Sequence, residues 1–282
     1  MSALLLEGDK EMITLYGASG FIGTEICRQF PDIYQQGRSE IFPQTNNIIF
    51  MASTVDNYNV FADVFIDIET NEILPLKVLE FARAKFGDNF SFTYISSWFV
   101  YGNVELPAKE DANCDPTGFY SITRLAGEKL VRSYCETYGI PWKIFRLANI
   151  IGIGDKKASL KKNAALYLMS EILQGHEVTI YNEPSYRDFM DVRDCARAII
   201  HLTQYGNTNE VYNIGSGISV NVKELIESVD TLGLIKYKDV PEFHKMVQIQ
   251  KLSLDVTKLI SSGFTSKYSM DDTIQWLKDY YK

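Results

Sequence analysis

The sequence predicts an α/β fold, a doubly wound parallel sheet followed by a smaller α+β lobe. Three observations predict it. Short apolar runs alternate with helix-length segments, the pattern of a parallel sheet covered on both faces. A glycine-rich turn joins the first apolar run to the first helix. No Pro/Gly-rich linker divides the 282 residues, and 46% hydrophobic content suffices for one large unit or two closely packed ones.

In chain order, strands are expected at Met12–Tyr16, Ile33–Gln36, Asn47–Ala52, Phe90–Ile95 and Trp142–Leu147. Helices are expected at Phe21–Phe30, Asn71–Lys85, Phe119–Tyr138, Leu160–Gln174, Val192–Gln204 and Val222–Leu232. Between the strand ending at Gln36 and that beginning at Asn47, the usual helix and strand do not fit. The sheet is therefore abbreviated by about one βα unit. After Ile150 the strands shorten and loops multiply, which marks the smaller lobe, packed over the strand ends where ligands of open α/β sheets bind.

Bulk properties exclude several functions. A formal charge of -8 argues against a nucleic acid polymer as partner. His176, His201, His244 and Cys27, Cys114, Cys135, Cys195 are scattered without ligand or CxxC spacing, so neither a metal site nor a dithiol centre is expected. Leu4, Leu5 and Leu6 meet Glu7 and Asp9 too soon for a signal-peptide core, and no run approaches the ~20 apolar residues of a membrane helix. The expectation is a cytoplasmic protein.

The first chemical motif is Gly17-Ala18-Ser19-Gly20-Phe21-Ile22-Gly23, directly after an apolar strand and opening a helix. One glycine permits the tight turn, one lets the backbone approach a pyrophosphate, and one lets helix and strand pack closely. The helix N-terminus then offers unpaired N–H groups and the positive end of its dipole. A dinucleotide site follows from that context. About twenty residues on, an acidic residue would bind the ribose 2′-OH of NAD. Here the stretch reads Gln36-Gly37-Arg38-Ser39. Arg38, with Ser39, suits a 2′-phosphate, so NADP(H) is favoured over NAD(H). Ala52 and Ser53, then Thr54 and Val55, are expected to line the remainder of the site.

The strongest signal combines three segments. Phe92-Thr93-Tyr94-Ile95 runs into Ser96-Ser97-Trp98-Phe99-Val100-Tyr101-Gly102. Tyr120 and Arg124 stand four apart, on one face of the long helix. Phe145-Arg146-Leu147-Ala148-Asn149 ends a further strand. A strand-end hydroxyl beside a tyrosine flanked by a fixed cation is what reversible carbonyl reduction needs: the cation lowers the tyrosine pKa and the serine hydrogen-bonds the reacting oxygen.

In these segments the chain resembles the extended short-chain dehydrogenase/reductases, the nucleotide-sugar epimerase/dehydratase family. The likeness also includes Asn71, Tyr186-Arg187-Asp188-Phe189, Tyr212-Asn213-Ile214-Gly215 and Asp255-Val256-Thr257-Lys258. It implies a Rossmann-type fold, with residues 1–152 and a returning segment at about 187–217 forming the NAD(P)-binding domain. Residues 153–186 and 218–282 would form the substrate-binding lobe. It implies Ser97 as substrate-polarising hydroxyl, Tyr120 as acid/base, and Arg124 in the place of a lysine that holds the nicotinamide ribose. Ser97, Trp98, Asn149 and Arg187 would face the nucleotide-diphosphate sugar. The family's long helix often pairs with a partner subunit; here Leu125, Leu130, Val131 and Tyr134 recur near helical spacing, so a homodimer is expected.

Arginine at 124 keeps the charge but is bulkier and never loses its proton. Trp98 and Phe99 stand where a 4,6-dehydratase of the family carries an Asp-Glu pair, which argues against that reaction. A 4-keto (deoxy)sugar reductase consuming NADPH and a 4-epimerase on retained NAD remain. Arg38 and the shortened adenine side favour the reductase. A third reading is a non-catalytic NAD(P)-binding sensor or scaffold, kept open by Arg124.

Overall fold

The computed structural model describes residues 12–38, 40–54, 59–156, 158–160, 162–242 and 250–281. The chain runs β1 (Ile13–Tyr16), α1 (Phe21–Gln29), β2 (Tyr34–Gln36) and β3 (Asn47–Phe50). Next come α2 (Phe65–Ile68), a π turn (Glu69–Ile73), α3 (Leu74–Phe86), β4 (Ser91–Ser97), α4 (Phe119–Tyr138) and β5 (Trp142–Leu147). Then follow β6 (Asn149–Ile151), α5 (Ala164–Leu173), β7 (Val178–Tyr181), β8 (Tyr186–Asp191), α6 (Val192–Tyr205) and β9 (Glu210–Ile214). The last elements are β10 (Ser219–Asn221), α7 (Val222–Glu227), β11 (Ile235–Lys238), α8 (Thr257–Ser261) and α9 (Met270–Tyr281).

A six-stranded sheet has the order β2-β1-β3-β4-β5-β9, parallel throughout. Strand alternation sends Ile13, Leu15, Ile49, Ile95 and Phe145 to one face, where they meet Ile26 of α1 and Ala198, Ile199 and Leu202 of α6. Tyr16, Ile48, Phe50, Phe92 and Tyr94 go to the other, against Val78, Leu79 and Ala82 of α3 and Val131 and Cys135 of α4. Helices on both faces explain why the strands read as continuous apolar runs. This is the α/β, Rossmann-type sheet that the sequence predicts. A separate cluster built on Ile151, Met169, Ile180, Phe189, Leu225 and Leu277 joins α5, α7 and α9 to two small sheets, β10-β8-β6 and β11-β7.

The abbreviation is visible in the topology. β2 and β3 flank β1 directly, and the described residues of 37–46 cross from one to the other without a helix. Thr14 Oγ1 on β1 accepts from the amides of Gln44 (3.1 Å) and Thr45 (2.8 Å), and Tyr16 donates to the Ile41 carbonyl at 2.5 Å. Lys85 of α3 closes the crossing by donating to the Pro43 carbonyl at 2.8 Å. Polar side chains on β1 thus fill in for a missing element.

Several boundaries differ from expectation. The strand expected over Asn47–Ala52 stops at Phe50, α5 starts at Ala164 rather than Leu160, and α7 stops at Glu227, not Leu232. The helix expected from Asn71 is already under way at Phe65 and widens into the π turn through Asn71. Pro75 supplies the reason. It has no N–H to return to the Asn71 carbonyl four residues back, so the regular ladder fails there. Val131 of α4 is core, whereas Ile122 and Leu130 are exposed at 48% and 40%. Among the described residues no helix is long and apolar enough to cross a membrane, and no group of His, Cys, Asp and Glu is arranged to hold a metal.

One ion pair ties α4 to the sheet. Arg146 on β5 grips Glu128 on α4 through Nη2 at 2.8 Å and Nε at 3.1 Å, both side chains being almost wholly buried. Glu128→Gln is expected to cost about 3–5 kcal/mol, because it strands a buried guanidinium. Urea denaturation should show a lower midpoint at unchanged slope. A loss under about 1 kcal/mol would mean that the pair does not hold the helix in place.

Candidate active site

At the end of β1, Gly17 has φ +89°, and a Cβ there would lie 2.9 Å from the Ala52 amide nitrogen. A Cβ on Gly23 would lie 2.2 Å from the Gly17 carbonyl oxygen. Only glycine closes this turn, which the Gly20 amide pins to the Gly17 carbonyl at 3.0 Å. α1 begins without a side-chain cap and without an acid in its first turn, so its positive end stays uncompensated. Ser19 and Gly20 are exposed at its mouth; Phe21 and Ile22 are half-buried and anchor it to the core. Ala52 and Ser53 flank the turn from the end of β3. A bare backbone cradle with free donors fits a dinucleotide pyrophosphate.

Beyond β2, Arg38 is exposed, while Ser39 and Val55 lie outside the described residues. The sequence places no carboxylate at this strand end; the fold brings one. Glu40 turns back so that its Oε2 accepts from Gln36 Nε2 (3.2 Å) and from the Gly37 amide (3.4 Å).

Ser97 ends β4, half-buried, and its Oγ accepts from the Phe99 amide at 3.4 Å, which leaves its own proton for another acceptor. Tyr120 lies in the first turn of α4, with the Phe99 ring edge-on at 6.1 Å between centroids. Phe99 therefore touches both residues, a link that its identity in the sequence does not announce. One turn further, Arg124 is 1% exposed. Its Nη1 donates to Asn71 Oδ1 at 3.4 Å, its guanidinium lies 4.6 Å from the Tyr94 ring centre, and its buried Nε has no partner.

Asn71 is the hub. Its Nδ2 donates to Thr54 Oγ1 (2.9 Å) and Thr123 Oγ1 (3.1 Å), and its Oδ1 accepts from the Thr54 amide (3.3 Å) as well as from Arg124. The carbonyl freed by the π turn accepts from the Tyr94 hydroxyl at 2.9 Å. The sequence gives Asn71 as a motif residue; its part in joining β3, β4 and α4 needs the fold.

A cavity of about 430 Å³ is lined among others by Trp98, Phe99, Asn149, Arg187 and Phe189. Trp98 and Phe99 stack at 3.9 Å, and the Arg187 guanidinium lies 5.3 Å from the Trp98 ring centre. Arg187 Nη1 donates to the carbonyls of Tyr186 (2.9 Å) and Gln250 (3.1 Å). It forms no ion pair among the described residues, and burial lowers its pKa to about 10. Its neighbour Asp188 points the opposite way, as strand alternation requires, and accepts from the amides of Ser216 and Gly217. Asn149 Nδ2 donates to the Asp188 carbonyl at 3.0 Å and completes this wall. A desolvated cation resting on an aromatic face suits an anionic ligand.

The family model "NAD dependent epimerase/dehydratase family" matches residues 38–215. GDP-6-deoxy-D-mannose reductase of Pseudomonas aeruginosa is 29% identical over 204 residues, spanning 71% of this chain and 67% of that protein. dTDP-glucose 4,6-dehydratase of Neisseria meningitidis is 27% identical over 245 residues, spanning 75% and 66%. Among solved structures, RMD from Pseudomonas aeruginosa complexed with NADPH superposes with a TM-score of 0.82 at 21% identity, covering 96% of this chain and 99% of that one. UDP-glucose 4-epimerase from Thermotoga maritima with UDP-glucose gives 0.82 at 22%, covering 95% and 98%. At these identities the structures speak for the fold.

Burial that disfavours the charged Arg187 implies a stability cost at neutral pH. Both carbonyls it contacts also hold backbone donors, from Leu252 and Tyr186. Arg187→Met is therefore expected to raise the melting temperature by about 2–4 °C. A fall in thermal denaturation would show that the guanidinium is structural.

Proposed function

The chain belongs to the NAD dependent epimerase/dehydratase family of enzymes, and we propose that it reduces the C4 ketone of a deoxysugar carried on a nucleotide diphosphate, with NADPH as reductant. The observation that carries this reading is the joining of Ser97 to Tyr120 through Phe99, with Arg124 one turn behind. The stacked Trp98 and Phe99 offer no acid/base pair for moving a hydroxyl out of the sugar, which disfavours a dehydratase. A relative named GDP-6-deoxy-D-mannose reductase supports the same choice.

In this reading Ser97 donates a hydrogen bond to the ketone oxygen and Tyr120 delivers its phenolic proton there as negative charge develops. Arg124, one turn beyond Tyr120 on α4, would hold the nicotinamide ribose of the bound dinucleotide. Arg187 takes the diphosphate without first shedding water, and Asn149 and Trp98 shape the sugar side. Bound against the Gly17–Gly23 turn, the dinucleotide supplies the hydride. Gly17, Ser19, Gly20, Phe21, Ile22, Gly23, Ala52 and Ser53 form its pyrophosphate side, and Arg38 would meet the 2′-phosphate. We assign 153–186 and 218–282 to the substrate lobe.

The experiment is turnover of nucleotide-linked 4-keto-6-deoxysugars with NADPH, run beside NMR detection of epimers from ordinary nucleotide hexoses. Tyr120→Phe should keep fold and cofactor binding and lower turnover at least about 10²-fold. Epimer formation without net NADPH consumption would replace the reductase by a 4-epimerase. Binding of both ligands with no turnover in either assay would leave a sensor or scaffold.

Glu40 favours the epimerase's NAD, since a carboxylate at this turn suits ribose hydroxyls. Competition titrations separate the two. Arg38→Ala should weaken NADPH by about 1.5–3 kcal/mol and spare NADH. Equal weakening of both, or a wild-type preference for NADH, would reverse the cofactor assignment.

Phe65, Ile73, Ile122 and Leu130 expose apolar surface on the helical face of α2 to α4, and we propose that this face pairs in a homodimer. Sedimentation equilibrium should return twice the chain mass of 32.1 kDa; the single mass at micromolar concentration would refute the pairing.

A further inference from the structure

Arg124 is held in an unusual manner for a buried cation. Among the described residues it has no ion pair, its hydrogen bond to Asn71 is long at 3.4 Å, and its Nε has no partner. The ring of Tyr94, 0% exposed, lies beneath its guanidinium at 4.6 Å. Tyr94 is itself fixed from two sides. Its hydroxyl donates to the Asn71 carbonyl, and Gly127, three residues beyond Arg124, has no side chain to hold α4 away. A Cβ on Gly127 would lie 2.4 Å from both the Tyr94 hydroxyl and the Asn71 oxygen. The close approach of helix to strand at Gly127 and the stacking at Arg124 are thus one arrangement.

We infer that Tyr94 is a positioning residue for the active-site cation, providing the flat surface that lets arginine serve where the family resemblance expects lysine. The inference rests on the functional reading above, in which Arg124 meets the dinucleotide. An ammonium is a compact, strongly hydrated point charge that gains direction from hydrogen bonds; a guanidinium is planar and stacks. Away from water, the ring face attracts the cation directly. Burial also raises the Tyr94 pKa, which keeps its hydroxyl protonated as the donor to Asn71. The Asn71 amide, meanwhile, sets the direction of Nη1. Ring and amide together orient a side chain whose several rotatable bonds would otherwise spread its charge over many positions.

The test uses the full chain and fluorescence titration with NADPH and NADH, with melting temperatures measured in parallel. Tyr94→Phe keeps the ring and should stay within about threefold of wild type in dinucleotide Kd. Tyr94→Leu removes it and should weaken binding at least about tenfold. If Tyr94→Leu does not fold, Tyr94→Met fills the space and takes its place in every arm. Arg124→Lys alone should also weaken binding. In the Tyr94→Leu background it should cost nothing further, because the ring that arginine uses is already gone; the two effects are then strongly non-additive. Unchanged Kd in folded Tyr94→Leu, with only a lower melting temperature, would reduce Tyr94 to core packing and overturn the proposal. So would effects of Tyr94→Leu and Arg124→Lys that multiply independently. Wild-type protein that binds neither dinucleotide would instead overturn the functional reading on which the proposal stands.

Discussion

The side-chain amide of Asn71 is the constraint on which the site depends. A primary amide donates two hydrogen bonds and accepts two, and here the donors go to Thr54 after β3 and Thr123 on α4 while the oxygen meets Arg124. Three segments distant in sequence are thereby set in one register. The amide can sit there only because the backbone widens around it, and the widening follows from Pro75, which withholds a ladder hydrogen bond. The carbonyl thus released is satisfied by Tyr94, so a local defect in a helix becomes a connection to the sheet.

The molecule treats its three buried arginines in two ways. Arg146 is neutralised by Glu128 in a nearly closed fork and belongs to the framework. Arg124 and Arg187 have no such counter-charge among the described residues; each rests on an aromatic ring, Tyr94 and Trp98 respectively. A framework needs its charges cancelled, whereas a binding site needs them available. The aromatic faces hold these two cations in place and lower the cost of their burial without consuming the charge.

Much of this was legible in the sequence, for physical reasons that differ by element. The parallel sheet shows because strands covered on both faces must be apolar throughout, as in Ile13–Tyr16. The missing βα unit shows because residues 37–46 are too few to hold one. The glycine turn shows because its glycines share one strand-to-helix turn, and Tyr120 and Arg124 show as neighbours because they stand four apart on α4. Contacts made by side chains reaching back were hidden. Glu40 returns to Gly37, and a reading confined to the strand end misses it. Arg187 and Asp188 adjoin in sequence, and only strand alternation sends them to opposite sides. The sequence reading begins a helix at Asn71, where the helix is already several residues old.

The loss of one βα unit leaves β2 as the rim of the main sheet, with one side facing no strand among the described residues. A bare rim of this kind is a template on which a foreign strand can add, the first step toward fibrous association. Here the template is short. β2 has three residues, begins just past Pro31 and Asp32, ends at Gly37, and carries Gln35 and Gln36 where a sticky strand would carry valine or isoleucine. A protein can therefore shed an outer layer of its sheet and stay dispersed, provided that the strand newly brought to the margin is too brief and too polar to recruit another.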